Sequence, residues 1–284
     1  LNKIFKRDEK VLDLVREIFN NFTRAFLESI KVFSFKIYSF SSIFFLSNGN
    51  VSLMENYVSF PKSDEIIIKT KFSLVSPGTE SAQLLRLPNT NISYPFNPGY
   101  CGSGEVIAAG KNSGFKKKDR VCGIINHSQV CKVHKNDLFK ISDHISYKEA
   151  SFFTLYLIVA RSLEKINNID KKRIIIIGQG LIGLILLQII KKNNPSSCIV
   201  ITKTKKNHNT SYKNGADECI DLINLNKLNN LKADLIFDVT SDPTVIEKAI
   251  NWCNQKARII LLGSTRGVAQ INNINKCIDK QNYN

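Results

Sequence analysis

The segment Arg173-Ile-Ile-Ile-Ile-Gly178-Gln-Gly180-Leu-Ile-Gly183-Leu-Ile-Leu-Leu-Gln188 constrains the fold of this chain more than any other. A β-branched run flows directly into Gly-x-Gly-x-x-Gly and then into an apolar stretch compatible with a helix. In that context each glycine has a distinct use. Gly178 supplies the tight turn after the strand, Gly180 lets backbone N–H groups approach a pyrophosphate, and Gly183 lets the helix lie close to the sheet. Leu181 and Ile182 fall in the first turn of the helix, whose N-terminus faces the anion. A second apolar run, Cys198-Ile-Val-Ile201, follows at the distance expected for the next parallel strand. Together these features predict a dinucleotide-binding βαβ unit.

The residues after the second strand bear on which dinucleotide is bound. An NAD site usually places an Asp or Glu about 20 residues past the fingerprint, where it hydrogen-bonds the ribose 2′-hydroxyl. No acidic residue occurs from Leu184 to Ala216. Thr202, Lys203, Thr204, Lys205 and Lys206 stand at the strand end instead, offering hydroxyls and cations suited to a 2′-phosphate. The expectation is therefore NADP(H) in preference to NAD(H), with Thr202, Lys203 and Lys205 as the 2′-phosphate residues.

A chain of 284 residues with 43% hydrophobic content can bury a large core in two domains. Its formal charge of +16 comes mostly from Lys scattered among Asn and Ile, not from one basic stripe interleaved with aromatic residues, which argues against a nucleic-acid partner. The seven cysteines include no Cys-x-x-Cys pair and the four histidines no i,i+4 pair, so neither a disulfide framework nor a structural zinc lobe is expected. Reduced thiols point to the cytoplasm. The hydrophobic stretch from Ala25 to Leu46 is interrupted by Glu28, Lys31, Lys36 and serines, and reads neither as a membrane span nor as a signal peptide.

The chain divides into three parts. Residues 1–41 form an N-terminal extension in which Asp8 to Ile30 has the apolar spacing of an amphipathic helix, suited to packing or to a partner. Residues 42–145 carry short β-rich runs separated by Pro and Gly, an all-β module. Residues 146–284 open on a long helix from Ser146 to Glu164, with Ser146 and Glu149 spaced as a capping box, and continue as strands alternating with helices. That alternation predicts a doubly wound parallel sheet.

The order of parts resembles the medium-chain dehydrogenase/reductase family over about residues 42 to 267. The resemblance rests on Val75-Ser-Pro-Gly-Thr-Glu80, Pro98-Gly-Tyr-Cys-Gly-Ser-Gly-Glu-Val106, Lys118-Asp-Arg-Val121, the glycine fingerprint, Gly215-Ala-Asp217, Val239-Thr240 and Leu262-Gly-Ser-Thr-Arg-Gly267. It implies an α/β architecture, a β-rich GroES-like catalytic domain followed by a Rossmann domain, with Thr240, Gly263 and Ser264 as further cofactor-contacting residues.

Where zinc-dependent members have metal ligands, this chain has Pro77 and Tyr100, so the resemblance implies a branch without zinc. Cys101 stands one residue out of register and reads as a small buried residue beside a glycine turn. Thr79 and Tyr100 fall on the two loops that line the family's cleft and are the candidate catalytic donors. His127 reads as a structural or surface histidine. The Rossmann sheet is expected to be incomplete at its C-terminal edge, completed by a homodimer mate or a partner chain. The implied activity is hydride transfer between NADP(H) and a small-molecule alcohol, ketone or activated alkene; the alternative is a catalytically degenerate nucleotide-binding protein or partner subunit.

Overall fold

The computed structural model describes residues 38–164, 166, 168–222, 231–264 and 266. The helix expected from Asp8 to Ile30 lies outside them. The later part of the hydrophobic N-terminal stretch is a strand, β1 (Tyr38–Ser47), which turns through Asn48-Gly49 into β2 (Asn50–Val58) as an antiparallel hairpin. Gly49 takes φ +74° in that turn, where a Cβ would be strained. Among the described residues no helix is long and apolar enough to cross a membrane.

Five strands form an antiparallel sheet. They are β3 (Glu65–Ser73), β4 (Gly102–Ala109), β5 (Arg120–Gly123), β6 (Val130–His134) and β7 (Leu138–Lys140), in the order β6-β3-β4-β5-β7. Ile66, Ile67 and Ile68 of β3 are all fully buried because the strand is covered on both faces. Ile66 and Ile68 pack with Val106, Val121 and Ile125, whereas Ile67 points to the opposite side and meets Phe40 of β1 and Val58 of β2. The hairpin thus serves as the second cover of this sheet.

The all-β expectation for residues 42–145 needs one correction. A helix, α1 (Pro77–Leu84), follows β3. Proline at the first helical position has its φ preset and loses no hydrogen bond there, and Glu80 reaches back to the amide of Ser76. The Pro-Gly-Thr sequence therefore starts a helix, and Thr79 sits on it instead of on a loop.

The long helix expected from Ser146 to Glu164 is two helices, α2 (Tyr147–Ala150) and α3 (Phe153–Glu164). Its predicted start is correct: Ser146 and Glu149 cap each other reciprocally. The break follows from where each piece packs. Ala150 of α2 joins Cys122 of the antiparallel sheet, while Leu155 and Val159 of α3 join the core of the second sheet. The chain must change direction between two layers, and the Ser151 hydroxyl donates to the Lys148 carbonyl at the turn.

The second sheet is parallel. Its strands β8 (Arg173–Ile177), β9 (Ser197–Thr202), β10 (Glu218–Asp221), β11 (Ala233–Asp238) and β12 (Cys253–Leu261) lie in the order β10-β9-β8-β11-β12. Helix α4 (Leu181–Lys191) links β8 to β9, α5 (His208–Lys213) links β9 to β10, and α6 (Pro243–Ile250) links β11 to β12. Strand β8 lies between β9 and β11, and its isoleucines divide between two cores. Ile174 and Ile176 pack with Leu155, Val159 and Leu186; Ile175 and Ile177 pack with Val245, Ala249 and Trp252. A strand buried on both faces reads as a continuous apolar run, which is why the sequence shows no alternation there. Strand β10 was not anticipated, because Glu218-Cys-Ile-Asp221 is too short and too polar to stand out.

Candidate functional site

The site is built where the carboxyl ends of β8, β9, β11 and β12 meet the antiparallel unit. Gly178 ends β8 with φ +97°, and its amide donates to Ile201 O at 2.8 Å, fastening the turn to β9. A Cβ on Gly183 would run into Gly178 O, so this glycine is required by helix–turn packing alone. Gly180 differs. A Cβ there would meet nothing within 4 Å, so protein packing places no demand on it, and the open side is space that a ligand can take. Gly180 is also the N-cap of α4 and no side chain caps it, leaving the first N–H groups of the helix, on Leu181 and Ile182, to an external acceptor. Gln179, between the first two glycines, is buried with both side-chain amide atoms unpartnered. A buried polar group without a partner costs about 1–3 kcal/mol, so the turn has capacity for a further hydrogen-bonding group. These observations fit a dinucleotide pyrophosphate.

Thr240, Gly263 and Ser264 lie beside this turn. Thr240 donates from its amide at 2.8 Å and from its hydroxyl at 2.7 Å to Asp238 Oδ1. Burial raises the Asp238 carboxyl above its ordinary range, and the two Thr240 bonds oppose that shift. A Cβ on Gly178 would come within 3.0 Å of Thr240 Cγ2, and one on Gly263 would collide with Thr240 O. The three chain segments therefore meet in close backbone contact, and Ser264 is exposed at their edge.

At the end of β9 the predicted residues separate. Lys203 and Lys205 are exposed. Thr202 is buried: its hydroxyl donates to Thr204 O at 2.9 Å and lies 2.9 Å from His208 Nε2. That hydroxyl is committed within the protein, which corrects the expectation of Thr202 as a free phosphate donor. The absence of an acid from 184 to 216 also does not extend to the next strand. Asp221 pairs in register with Thr202, and its Oδ1 lies 3.0 Å from His208 Nε2, at ion-pair distance but off line for a hydrogen bond. Asp242, beside Lys203, has its carboxyl held below the ordinary range chiefly by Thr244 hydrogen bonds, with the Lys203 charge adding to them.

On the antiparallel side, Thr79 and Tyr100 share a cavity of about 280 Å³ with Ile182, Leu262 and Ser264. Residues expected at the cofactor and residues expected at the substrate thus line one space. Tyr100 donates its hydroxyl to Ser76 Oγ at 2.7 Å. Burial raises its pKa above the ordinary 10, the Ser76 and Thr79 hydrogen bonds pull it down, and the nearby Cys101 and Glu80 push it up again. Tyr100 accordingly keeps its proton across the neutral range.

Of the two readings of His127, structural or exposed, the structure supports the structural one. Its ring is buried, with Nε2 2.8 Å from Glu80 Oε2 and Nδ1 2.9 Å from Ser73 Oγ. Glu80 is equally buried and uses its other oxygen, Oε1, to accept from Ser76 N at 2.7 Å. This pair was missed because it joins positions 47 residues apart; the one local sign was an acid within the first turns of a Pro-initiated helix. Cys101 is fully buried, packed with Leu155 and Val159, and burial pushes its thiol up to about 12. Among the described residues no three His, Cys, Asp or Glu side chains gather as a metal-ligand set.

No family model matches the chain, and no curated protein matches it. Solved structures do. A short chain alcohol dehydrogenase from E. coli CFT073 in complex with NADH superposes with TM-score 0.72 at 19% identity, covering 82% of this chain and 79% of that one. The 2R,3R-butanediol dehydrogenase of Bacillus subtilis gives 0.71 at 17% identity, over 85% and 82%. CAD from Helicobacter pylori, complexed with NADP(H), gives 0.71 at 10% identity, over 81% and 77%. At such identities the likeness is one of fold, the GroES-like plus Rossmann fold of the medium-chain dehydrogenases.

Two outcomes follow from the geometry. Gly180→Val is expected to keep the circular dichroism spectrum and denaturation midpoint of the parent while losing dinucleotide binding in a fluorescence titration, whereas Gly183→Val is expected to be destabilised before any ligand is added. Glu80→Ala orphans both His127 Nε2 and Ser76 N and is expected to cost about 2–4 kcal/mol in urea denaturation, with Glu80→Gln, which keeps an acceptor, costing less.

Proposed function

We propose that this protein is a zinc-independent, NADP(H)-preferring oxidoreductase that interconverts a small alcohol and its carbonyl, or reduces an activated alkene. The observation that carries the proposal is the shared cavity: Thr79 and Tyr100 face the same space as Ile182, Leu262 and Ser264, beside an uncapped helix N-terminus with open room at Gly180. The antiparallel-sheet unit, residues 42–145, is taken as the catalytic domain and residues 146–284 as the cofactor domain.

In this reading Gly178, Gly180 and Gly183, with the amides of Leu181 and Ile182, hold the pyrophosphate, and Thr240, Gly263 and Ser264 border the nicotinamide side. Lys203 and Lys205 hold the 2′-phosphate. Thr202 contributes by fixing the strand end through Thr204 and His208. The neighbouring Asp221 has Oδ1 3.0 Å from His208 Nε2, so a protonated His208 ring would offset the charge of this acid beside a 2′-phosphate. The nicotinamide, when bound, supplies or accepts the hydride. Tyr100 donates a hydrogen bond where negative charge develops on the substrate oxygen, exchanging its Ser76 partner for the substrate, and Thr79 supports it from the facing helix. The donor set supports zinc independence. Pro77 offers no ligand atom, Tyr100 is held protonated, and Cys101 is fully buried with its thiol pushed up to about 12. The six free cysteines among the described residues suit a reducing, cytoplasmic setting. A second chain would find its pairing edge at β12, one of the two outer strands of the parallel sheet among the described residues.

NADPH is expected to bind about 10-fold or more tightly than NADH in a fluorescence titration, with the margin shrinking as salt rises and collapsing in Lys203→Ala/Lys205→Ala. Equal affinity of the parent for both dinucleotides would overturn the cofactor assignment. Tyr100→Phe is expected to lower turnover about 10²-fold with NADPH affinity unchanged, as loss of one preorganised donor does. Because the Tyr100 pKa lies above 10, its ionisation adds no limb to the pH–rate profile across the neutral range.

A further inference from the structure

The cavity that holds Thr79 and Tyr100 is also lined by Gln83 and Arg266, each of which carries a buried polar atom with no partner, and the two atoms are chemically opposite. Gln83 Oε1 is an acceptor without a donor; Arg266 Nε is a donor without an acceptor. Arg266 follows β12 on the cofactor side, where its amide donates to Ser241 O at 2.9 Å. Its Nη1 reaches across to the antiparallel unit and donates to Asn89 O at 3.2 Å and, more weakly, to Pro88 O at 3.5 Å. Among the described residues no carboxylate pairs with it. The two carbonyls therefore fix the orientation of the guanidinium from one side without neutralising it, and the opposite edge, carrying Nε–H, has no acceptor within the protein.

Burying a guanidinium donor unpaired costs more than burying a neutral one, and native interiors rarely leave such a group unmatched. The Nε edge of an arginine presents two parallel N–H groups with the spacing of two oxygens of a carboxylate or phosphate. An acceptor such as Gln83 Oε1 in the same space asks for an O–H or N–H on the same molecule. We propose that the substrate of this cavity is an acid, a small hydroxy or oxo compound bearing a carboxylate or a phosphate monoester, with Arg266 holding the anionic group and Gln83 accepting from a hydroxyl. This rests on reading the cavity as the substrate cleft. It makes Arg266 and Gln83 the residues that select the substrate, distinct from Tyr100, which acts on the reacting oxygen.

The test is isothermal titration calorimetry of the whole chain, with and without saturating NADPH. The probes are matched pairs: succinate against butane-1,4-diol, and glycerol 3-phosphate against glycerol. The expected result is that at least one charged probe binds about 10-fold or more tightly than its neutral partner, that Arg266→Gln removes this margin, and that NADPH affinity stays at the parent value. The pair that shows the margin tells carboxylate from phosphate. Should Arg266→Gln fail to fold, Arg266→Lys, which keeps the charge and loses the fork, is read instead: a clear fall in the margin supports the proposal and an unchanged margin overturns it. Equal binding of charged and neutral probes in the parent also overturns it, as does a margin that survives in Arg266→Gln. Loss of dinucleotide binding alongside retained anion binding would overturn the oxidoreductase reading and leave this one standing.

Discussion

Burial of β8 on both of its faces is the constraint on which the rest of the structure depends. A strand with no solvent face needs a layer of helices on each side, and the layers come from different parts of the chain: α3 and α4 on one side, α6 on the other. Once β8 is central, its carboxyl end opens into the crevice between oppositely directed connections, and the turn after it can be no bulkier than glycine where α4 crosses it. The site is thus a consequence of how the core is filled. The same core takes in Cys101 and the partly buried Tyr100, so the antiparallel unit is attached to the parallel sheet by apolar packing at the very place where the two candidate half-sites face each other.

Glu80 plays the corresponding part within the antiparallel unit. One of its oxygens closes the start of α1 and the other takes the ring of His127, which is in turn held by Ser73 at the end of β3. The backbone carbonyl of His127 accepts from Ile43 N, so β1 is tied into the same arrangement. A single buried carboxylate therefore aligns a helix, two strands and a loop. Thr79, next to Glu80 on α1, and Tyr100, bonded to Ser76 at the N-cap of the same helix, take their positions from it.

What was legible in the sequence is what depends on neighbours along the chain. The β8 run, the glycine turn, the Ser146–Glu149 capping box and the alternation after Arg173 are all local signals, and the structure contains each of them. Ile182 was legible from the glycine fingerprint, and Thr79, Tyr100 and Ser264 through the resemblance; the four line one cavity. The misses share a cause. Thr202 looks like a free hydroxyl until His208 folds back on it, His127 looks solitary until Glu80 arrives from a different element, and the helix from Ser146 looks continuous until two separate sheets compete for its ends. Each is decided by a tertiary contact that leaves no period or spacing in the chain. Arg266 belongs with these: nothing in Gly-Ser-Thr-Arg-Gly indicates that its guanidinium reaches the loop beyond α1.

The hairpin cover of β3 gives this fold a minimum length at its front end. Ile67 is sealed by Phe40 and Val58, and β1 supplies the Ile43 and Ser41 backbone groups that hold the His127–Gln129 loop. A cut in the Asn48-Gly49 turn would therefore be felt well beyond the hairpin: with β1 released, a β3 isoleucine opens to water and the loop beneath Glu80 loses its anchor, so cleavage at this exposed turn reports on the integrity of the whole antiparallel unit.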